Sequence, residues 1–235
     1  MKIDIGIVVY KEYFLIDKQI EHWNKHIKGD FNLVIADSTP KDQRQNRSNF
    51  IPIDVDNSFD GISCGEATDF VANQCKTDII GLVHPDFFFF NPNILFEIEE
   101  QFKQGYKCIG PQGFYPDFQR IVDSNYPDQR GDIAPTCWGT FFTRELATSD
   151  TFICLPPGVG KLCGWPHRKR IVDEKIPNIV WPGSYPFPDD DQITFFGDPE
   201  KPQGMHLLKG SGSRIGSMPA AFTRAMEFGM SKWGF

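Results

Sequence analysis

Residues 3–40 read IDIGIVVYKEYFLIDKQIEHWNKHIKGDFNLVIADSTP, and their apolar pattern is the clearest indication of a fold class. Ile3–Val9 is an apolar run rich in β-branched residues, which is typical of a buried parallel strand. From Tyr13 to Ile27 the apolar residues recur at helical spacing, and Phe31–Ala36 is a second apolar strand. A strand–helix–strand crossover of this kind is the repeating unit of a parallel α/β sheet.

The same alternation continues through the first half of the chain. We predict a short third strand over Phe50–Val55, a helix over Gly61–Cys75, a very apolar strand over Thr77–Val83 and a helix over Pro92–Gln104. Asn91 suits the N-cap of the last helix, which then has a proline at its first position. Strands that alternate with helices in this way indicate an α/β domain.

The second half of the chain is richer in loops than the first. Residues 110–135 and 151–188 show little periodicity, and long loops of this kind in a domain are usually functional. We predict strands over Trp138–Thr143 and Gln203–Leu208 and a helical tail over Pro219–Trp233. No repeat or linker interrupts the chain, so a single domain is the simplest interpretation.

Composition excludes some classes of partner. The chain has 235 residues and a net charge of −7. A general nucleic-acid binder needs a basic face to release counterions, so we do not expect nucleic acid as a partner. A nucleotide ligand is compatible with the negative charge, because one bound metal ion can reverse the local field around a phosphate.

The N-terminus and the cysteines bear on the compartment. The opening residues MKIDIGIVVY form an apolar stretch too short for a signal-peptide core. No segment approaches about 18 uninterrupted apolar residues, so no membrane span is expected. The cysteines form no C-x-x-C pair, and we interpret them as reduced thiols in the cytoplasm rather than as a zinc site. They are Cys64, Cys75, Cys108, Cys137, Cys154 and Cys163.

Polar clusters follow three of the predicted strands, and these are the candidate ligand-binding segments. They are Tyr10-Lys11-Glu12, Asp37-Ser38-Thr39 and His84-Pro85-Asp86. Ligands of open α/β sheets bind beyond the carboxyl ends of the strands, so three such clusters point to a site at one edge of the sheet. Each cluster could instead be a solvated loop or a helix cap.

The order of these segments resembles the family-two glycosyltransferases of the GT-A fold, from residue 3 to about residue 214. In that family a strand–helix–strand unit ends in an acid, here Asp37, and a later strand ends in Asp-x-Asp or Asn-Pro-Asp, here His84-Pro85-Asp86. The family also has a Gly-led strand ending in Arg, an acidic pair, and a strand with a His followed by Gly and Ser. The similar segments are Trp138–Arg144, Asp189-Asp190-Asp191 and Gly204–Ser211.

The resemblance implies a fold and an activity. The fold is a mixed, mostly parallel central sheet flanked by helices, in one domain over residues 1–235, with a nucleotide-binding half at about 1–109 and a loop-rich acceptor half at about 110–235. The activity is transfer of a sugar from a nucleotide-sugar donor to an acceptor hydroxyl, metal-dependent and inverting. The acceptor would be a glycan, a lipid-linked molecule or a small molecule.

The resemblance also implies residues that bind the donor. Asp37 would accept a hydrogen bond from the nucleobase, with Tyr10 and Ser38 beside it. Asp37 could equally be a turn or helix-capping residue. His84 would contact the donor as well, although a histidine at a strand end is the simplest interpretation.

Two residues are implied as metal ligands. Asp86 would ligate a divalent cation, Mn²⁺ or Mg²⁺, that bridges the donor pyrophosphate, because a hard cation suits a carboxylate and phosphate oxygens. His206 would complete the site from the second half of the chain, and imidazole suits Mn²⁺ better than Mg²⁺. The alternatives are a polar turn at Asp86 and a structural histidine at position 206.

Asp190 and Asp191 match the catalytic base of the family. Inverting transfer needs a base to accept the proton of the acceptor hydroxyl. Adjacent carboxylates repel each other, so that one of them can hold a raised pKa. The alternative is a helix N-terminus decorated with acids, which the helix dipole favours.

Two other classes remain as alternatives. A nucleotidyltransferase would need a Gly-rich phosphate loop after the first strand, where Tyr10–Tyr13 contains no glycine. A catalytically inactive GT-A-like domain that binds sugar nucleotide or glycan is the stronger alternative, because His84 stands where the family has its first acid. Asp190 and His206 favour the active enzyme.

Three aromatic or basic features have simple structural interpretations. We interpret the run Phe87–Phe90 as core and His167–Arg170 as a solvated basic face that could hold a diphosphate. Trp138, Trp165 and Trp181 could form sugar platforms, but packing is the commoner role of such residues.

Overall fold

The strands form two β-sheets in the computed structural model, which describes residues 1–55, 62–112, 134–136, 139–152, 165–187, 190–198, 200–207 and 218–233. The strands are β1 (Ile3–Val9), β2 (Phe31–Asp37), β3 (Phe50–Pro52), β4 (Ile79–Val83), β5 (Phe87–Phe89), β6 (Cys108–Pro111), β7 (Gly139–Thr143), β8 (Asn178–Trp181), β9 (Gly183–Phe187), β10 (Asp190–Asp198) and β11 (Lys201–Leu207). The helices are α1 (Tyr13–His26), α2 (Ile62–Gln74), α3 (Ile94–Lys103), α4 (Arg144–Ala147), α5 (Trp165–Asp173) and α6 (Met218–Trp233).

The larger sheet has seven strands in the order β3-β2-β1-β4-β7-β6-β8. The first four are parallel, β7 is antiparallel to both of its neighbours, and β8 is parallel to β6. The predicted mixed, mostly parallel sheet flanked by helices is therefore confirmed. Since β2 and β3 lie on one side of β1 and β4 lies on the other, the order of the strands reverses between β1 and β4. Open α/β sheets bind their ligands beyond the strand ends at such a point.

The core explains why the first strands read as continuous apolar runs. All of β4 and nearly all of β1 are buried, and α2 packs against β1, β2 and β4. On α1, the ring of Trp23 lies 5.2 Å from that of Phe31 and 5.6 Å from that of Phe89. Strands covered in this way have no polar face, so the alternation of apolar and polar residues that marks a half-exposed strand is absent.

The smaller sheet is antiparallel, in the order β5-β11-β10-β9, and the run Phe87–Phe90 joins it to the larger one. Phe87 and Phe89 belong to the main core, whereas Phe88 and Phe90 belong to a second apolar cluster under α6. Because successive side chains of a strand point to opposite faces, one short strand serves both clusters. The interpretation of this run as core is confirmed.

Two predictions about local structure were wrong. Residues 165–187 hold α5, β8 and β9 rather than irregular chain. The strand β8 is recognisable through its pairing with β6, a distant contact that leaves no local periodicity. Asn93, not Asn91, is the N-cap of α3, and the Asn91 side chain accepts a hydrogen bond from the Asn93 N–H at 2.9 Å. Most of residues 110–135 lie outside the described part of the chain.

Among the described residues, Cys64, Cys75 and Cys108 are not in disulfides, and the other three cysteines lie outside the described residues. Within the described part of the chain, no helix is both long enough and apolar enough to cross a bilayer.

The buried side chain of His22 should make the folded state less stable at acid pH. The residue is 8% exposed, and its Nε2 lies 2.5 Å from the carbonyl oxygen of Phe89. Burial, with a smaller contribution from the charge of His26, lowers the pKa of His22 from 6.5 to about 4. Because the folded-state pKa is below the unfolded one, the stabilisation is complete above pH 6.5 and is lost as the pH falls toward 4.

The difference between the folded-state and unfolded-state pKa of His22 corresponds to about 3 kcal/mol of unfolding free energy, at about 1.4 kcal/mol for each pKa unit. The free energy of unfolding, measured with urea, should fall between pH 7 and pH 4 by about 3 kcal/mol less in His22→Gln than in wild type. Glutamine keeps a donor for the carbonyl oxygen of Phe89 but cannot gain a proton. Equal losses in the two proteins would contradict the assignment.

Candidate active site

The reversal of strand order brings two of the three polar clusters side by side. Tyr10-Lys11-Glu12 follows β1, and His84-Pro85-Asp86 follows β4. The two strands are parallel neighbours, with Ile7 opposite Val83. Asp86 and Glu12 are both buried, at 5% and 6% exposure, at this end of the sheet. Two acidic residues therefore lie beyond the carboxyl ends of β1 and β4, the end of the sheet at which ligands of this sheet type bind.

A tight turn presents Asp86 to the crevice. The Phe87 N–H donates to the carbonyl oxygen of His84 at 3.0 Å, and Pro85 occupies the second position of this turn, which its fixed φ favours. Gln19 of α1, fully buried, donates its side-chain amide to the carbonyl oxygens of His84 and Phe87. The sequence analysis missed Gln19, because a glutamine within a helix gives no local sign that it supports a distant turn.

His206 reaches Asp86 through the smaller sheet. The antiparallel pairing of β5 with β11 places His206 opposite Phe87, and the Leu207 N–H donates to the backbone oxygen of Asp86 at 2.9 Å. Nε2 of His206 lies 3.0 Å from Oδ1 of Asp86. The two residues predicted as metal ligands are thus in direct contact, although 120 positions separate them.

His84, Asp86 and His206 form a cluster with the geometry of a metal site. One potential ligand atom from each residue lies within 4.8 Å of the others. Among the described residues, this is the one group of three or more histidine, cysteine or acidic side chains close enough to share an ion. One carboxylate and two imidazoles fit Mn²⁺ better than Mg²⁺, which prefers oxygen ligands. The donor set is therefore suitable for a divalent cation.

Electrostatics favours the anionic form of Asp86. Burial acts to raise the pKa of this carboxyl, but the charge and the hydrogen bond of His206, together with the charge of His84, outweigh it and hold the pKa below its usual value. A carboxyl must be deprotonated to ligate a cation. Asp86 is accordingly ready to bind one.

Asp37 is buried at the end of β2 and tied to its surroundings. One carboxylate oxygen accepts the Thr39 N–H at 2.9 Å and the other accepts the hydroxyl of Tyr13 at 2.7 Å. Ser38 donates its hydroxyl to the carbonyl oxygen of Val9 at 2.9 Å. Each carboxylate oxygen keeps a second lone pair. The roles of Asp37 and Ser38 in nucleobase binding, and that of half-buried Tyr10, stay predictions.

Glu12 is the residue that the sequence analysis undervalued. It occupies the N-cap position of α1 but makes no capping hydrogen bond with its side chain, and its Oε1 has no hydrogen-bond partner among the residues that the structure describes. Burial raises the pKa of Glu12 well above its ordinary value, with further contributions from Asp86 and Cys64. The available signal was an acid directly after the first buried strand.

Asp190 and Asp191 begin β10, with Asp190 opposite Phe187 of β9. The alternative interpretation of this acidic cluster as a helix N-terminus is therefore wrong, because a strand starts here. Their side chains and Asp189 lie outside the described part of the structure, so the assignment of the catalytic base stays a prediction.

The basic run of α5 is a solvated face only in part. His167 and Arg168 are buried, Lys169 pairs with Asp173, and Arg170 pairs with Glu174 at 2.9 Å. The charges of Lys169 and Arg170 are thus paired with neighbouring acids, which disfavours diphosphate binding there.

Trp181 is buried in the main core and packs on Phe89, so its role is packing rather than sugar binding. Trp138 and the side chain of Trp165 lie outside the described residues.

Comparison with known proteins shows which solved structures have a similar fold. No protein-family model matches the sequence, and no curated protein matches it in a sequence comparison. The mannosyltransferase PcManGT from Pyrobaculum calidifontis, in complex with GDP-Man and Mn²⁺, is structurally similar with a TM-score of 0.53 at 12% identity, over 77% of this chain and 54% of that chain. This chain therefore spans about half of that enzyme.

Glucosyl-3-phosphoglycerate synthase from Mycobacterium tuberculosis, in complex with Mn²⁺ and UDP-glucose, has a TM-score of 0.54 at 15% identity, over 100% of this chain and 79% of that chain. A second structure of that enzyme, in complex with phosphoglyceric acid, has a TM-score of 0.53 at 16% identity, over 100% and 80% of the two chains. With the strand order and the polar clusters described above, these similarities show that the chain has the fold of the GT-A-type glycosyltransferases.

Proposed function

We propose that the protein is a glycosyltransferase that moves a sugar from a nucleoside-diphosphate donor to an acceptor hydroxyl. The observation that carries the proposal is the His84–Asp86–His206 cluster at the reversal of strand order in a GT-A-type sheet. Enzymes with the same fold bind GDP-Man or UDP-glucose together with Mn²⁺. The acceptor is a glycan, a lipid-linked molecule or a small molecule.

The metal-dependent part of the mechanism rests on three side chains. Asp86 and His206, with His84 at the half-buried edge, would hold the cation. A divalent cation, when bound, neutralises negative charge on the diphosphate leaving group. The two imidazoles favour Mn²⁺ over Mg²⁺. The carbonyl contacts of Gln19 keep the turn that carries His84 and Asp86 in place.

The remaining parts of the mechanism concern the nucleobase of the donor, the acceptor hydroxyl and the catalytic base. Asp37, held by Tyr13 and Thr39, would contact the nucleobase through its remaining lone pairs. The acceptor oxygen attacks the anomeric carbon, the bond from that carbon to the diphosphate oxygen breaks, and Asp190 or Asp191 takes the proton of the hydroxyl. A single displacement of this kind inverts the configuration at the anomeric carbon.

A binding domain without turnover is the second candidate, and one observation favours it. His84 stands where the resembling family has an acid, and it is less buried than Asp86. A domain that had lost catalysis would bind nucleotide without consuming donor.

Calorimetry tests the proposal directly. We expect UDP or GDP to bind the full-length protein in Mn²⁺ at least about tenfold more tightly than in EDTA, a difference of about 1.4 kcal/mol. The corresponding nucleotide sugar should then be consumed, slowly by water and faster with an acceptor. Binding without any donor consumption would support the inactive domain, and no binding of UDP, GDP or dTDP would refute the glycosyltransferase and leave a glycan-binding domain as the candidate.

A further inference from the structure

Side chains of α1, rather than a further strand, cover one edge of β5. In the described part of the chain β5 is the outermost strand of the smaller sheet and pairs with β11 alone. Residues 84–87, here called the metal turn, lead into it. The carbonyl oxygens of Phe87 and Phe89, two positions apart, point to the same side of the strand. Gln19 donates to the first of them, and Nε2 of His22 lies 2.5 Å from the second.

Gln19 gives both of its amide hydrogens to the metal turn. One N–H donates to the carbonyl oxygen of His84 at 3.1 Å, and the other donates to the carbonyl oxygen of Phe87. The glutamine is fully buried, and a buried carbonyl oxygen that loses its donor is strongly unfavourable. Because the two oxygens lie on either side of Asp86 in the chain, these bonds fix the conformation of the backbone that carries the anionic ligand.

Trp23 determines which way the amide of Gln19 faces. Its indole N–H donates to Oε1 of Gln19 at 2.8 Å, from one turn further along α1. A flipped amide would place its oxygen against the two carbonyl oxygens of the turn and its NH₂ group against the indole N–H, so only one orientation satisfies all three contacts. Trp23 is also fully buried. The amide donors are therefore oriented by the fold itself.

The metal turn is thus held from two sides. On one side the Leu207 N–H of β11 donates to the backbone oxygen of Asp86 at 2.9 Å, which sets the position of Asp86 relative to His206. On the other side Gln19 holds the turn itself, and with it the position of His84 relative to Asp86. A cation site requires its ligand atoms at defined distances from the ion. Loss of either support should therefore lower the affinity for the ion.

We propose that Gln19 is a positioning residue of the divalent-cation site and that Trp23 orients it, so that Mn²⁺ affinity depends on two residues of α1 that are not ligands. The inference rests on the proposed glycosyltransferase function and names the part of the fold that prepares its metal site. Groups that hold metal ligands in place typically change metal affinity by about 10–100-fold.

Titration of the metal-free, full-length protein with Mn²⁺ alone tests this inference, with the free ion followed by electron paramagnetic resonance. Gln19→Met keeps the length of the side chain and removes both donors, and it should weaken Mn²⁺ binding by about 10–100-fold. Trp23→Phe removes the indole N–H but leaves the amide in place, so its loss of affinity should be smaller than that of Gln19→Met.

Ile16→Val is the matched control. Ile16 lies on the same helix and is fully buried in the main core, so valine there should lower the melting temperature and leave Mn²⁺ affinity unchanged. Thermal melts of all metal-free variants establish that they are folded at the temperature of the titration. If Gln19→Met does not fold, Trp23→Phe decides, and wild-type Mn²⁺ affinity in that variant overturns the inference.

The possible results separate the inference from the proposed function. Wild-type Mn²⁺ affinity in folded Gln19→Met, with binding lost in Asp86→Asn, would overturn the inference and leave the metal site intact. Equal losses of affinity in Gln19→Met and Ile16→Val would also overturn it, because the effect would then be one of stability alone. If wild type binds no Mn²⁺, with or without nucleoside diphosphate, both the inference and metal dependence fail.

Discussion

Asp86→Asn should lower kcat/KM for sugar transfer by about a thousandfold, since a metal ion contributes several kcal/mol to the stabilisation of charge in a transition state. Asp86 is the anionic member of the His84–Asp86–His206 cluster, and the histidines keep its carboxyl ionised although it is buried. An asparagine retains an oxygen that can accept the His206 hydrogen bond but carries no charge. We therefore expect loss of the cation with little loss of fold.

The matched control lies on the same strand. Asp78 is an exposed acid just before the other end of β4, and Asp78→Asn should leave both Mn²⁺ binding and turnover unchanged. The measurements are steady-state kinetics with the donor identified by calorimetry, Mn²⁺ titration, and thermal melts of both variants. Wild-type rates in a folded Asp86→Asn protein would refute metal-assisted transfer at this site.

Gly204→Ala should destabilise the fold by about 3 kcal/mol, in the upper part of the range for overpacked sites. A Cβ at this position would lie 2.6 Å from the carbonyl oxygen of Phe88 and 3.0 Å from the ring of Phe87. Because the first of these atoms belongs to the backbone of β5, the clash is relieved only if β5 and β11 separate. His206 lies two residues further along β11, so the same movement should draw it away from Asp86 and weaken Mn²⁺ binding.

Gly105→Ala is the appropriate comparison for this prediction. Gly105 has a φ of +99° and open space where a Cβ would be, so alanine there costs about 1 kcal/mol in backbone strain but moves no strand. Urea unfolding should show the larger loss in Gly204→Ala, and Mn²⁺ affinity should fall in that variant alone. Equal Mn²⁺ affinity in the two variants would show that the pairing of β5 with β11 does not position His206.

Local pattern was sufficient to predict the elements of the first half. The β-branched runs and the helical spacing between them predicted β1, α1 and β2 within a residue or two of their observed ends. Strand ends were equally informative, because the carboxyl ends of neighbouring parallel strands must share one edge of the sheet. Glu12 and Asp86 could therefore be expected near each other before any coordinates were known.

Elements that depend on distant partners were harder to predict. The strand β8 has little local signature and exists through its pairing with β6. The helix α5 carries a run of basic residues that suggested solvent, yet His167 and Arg168 are buried. A residue's burial depends on what packs against it from elsewhere in the chain, and a local window of sequence contains no information on that.

The sequence by itself determined the parallel α/β unit, the strand-end acids and the order of segments that resembles the glycosyltransferase family, because periodicity and strand direction are local properties of the chain. The tertiary structure decided which of these residues meet. The 3.0 Å contact between His206 and Asp86 follows from the pairing of β11 with β5, and the burial of Glu12 follows from the position of the start of α1 in the fold. Both depend on contacts between segments far apart in the chain, which no local pattern specifies.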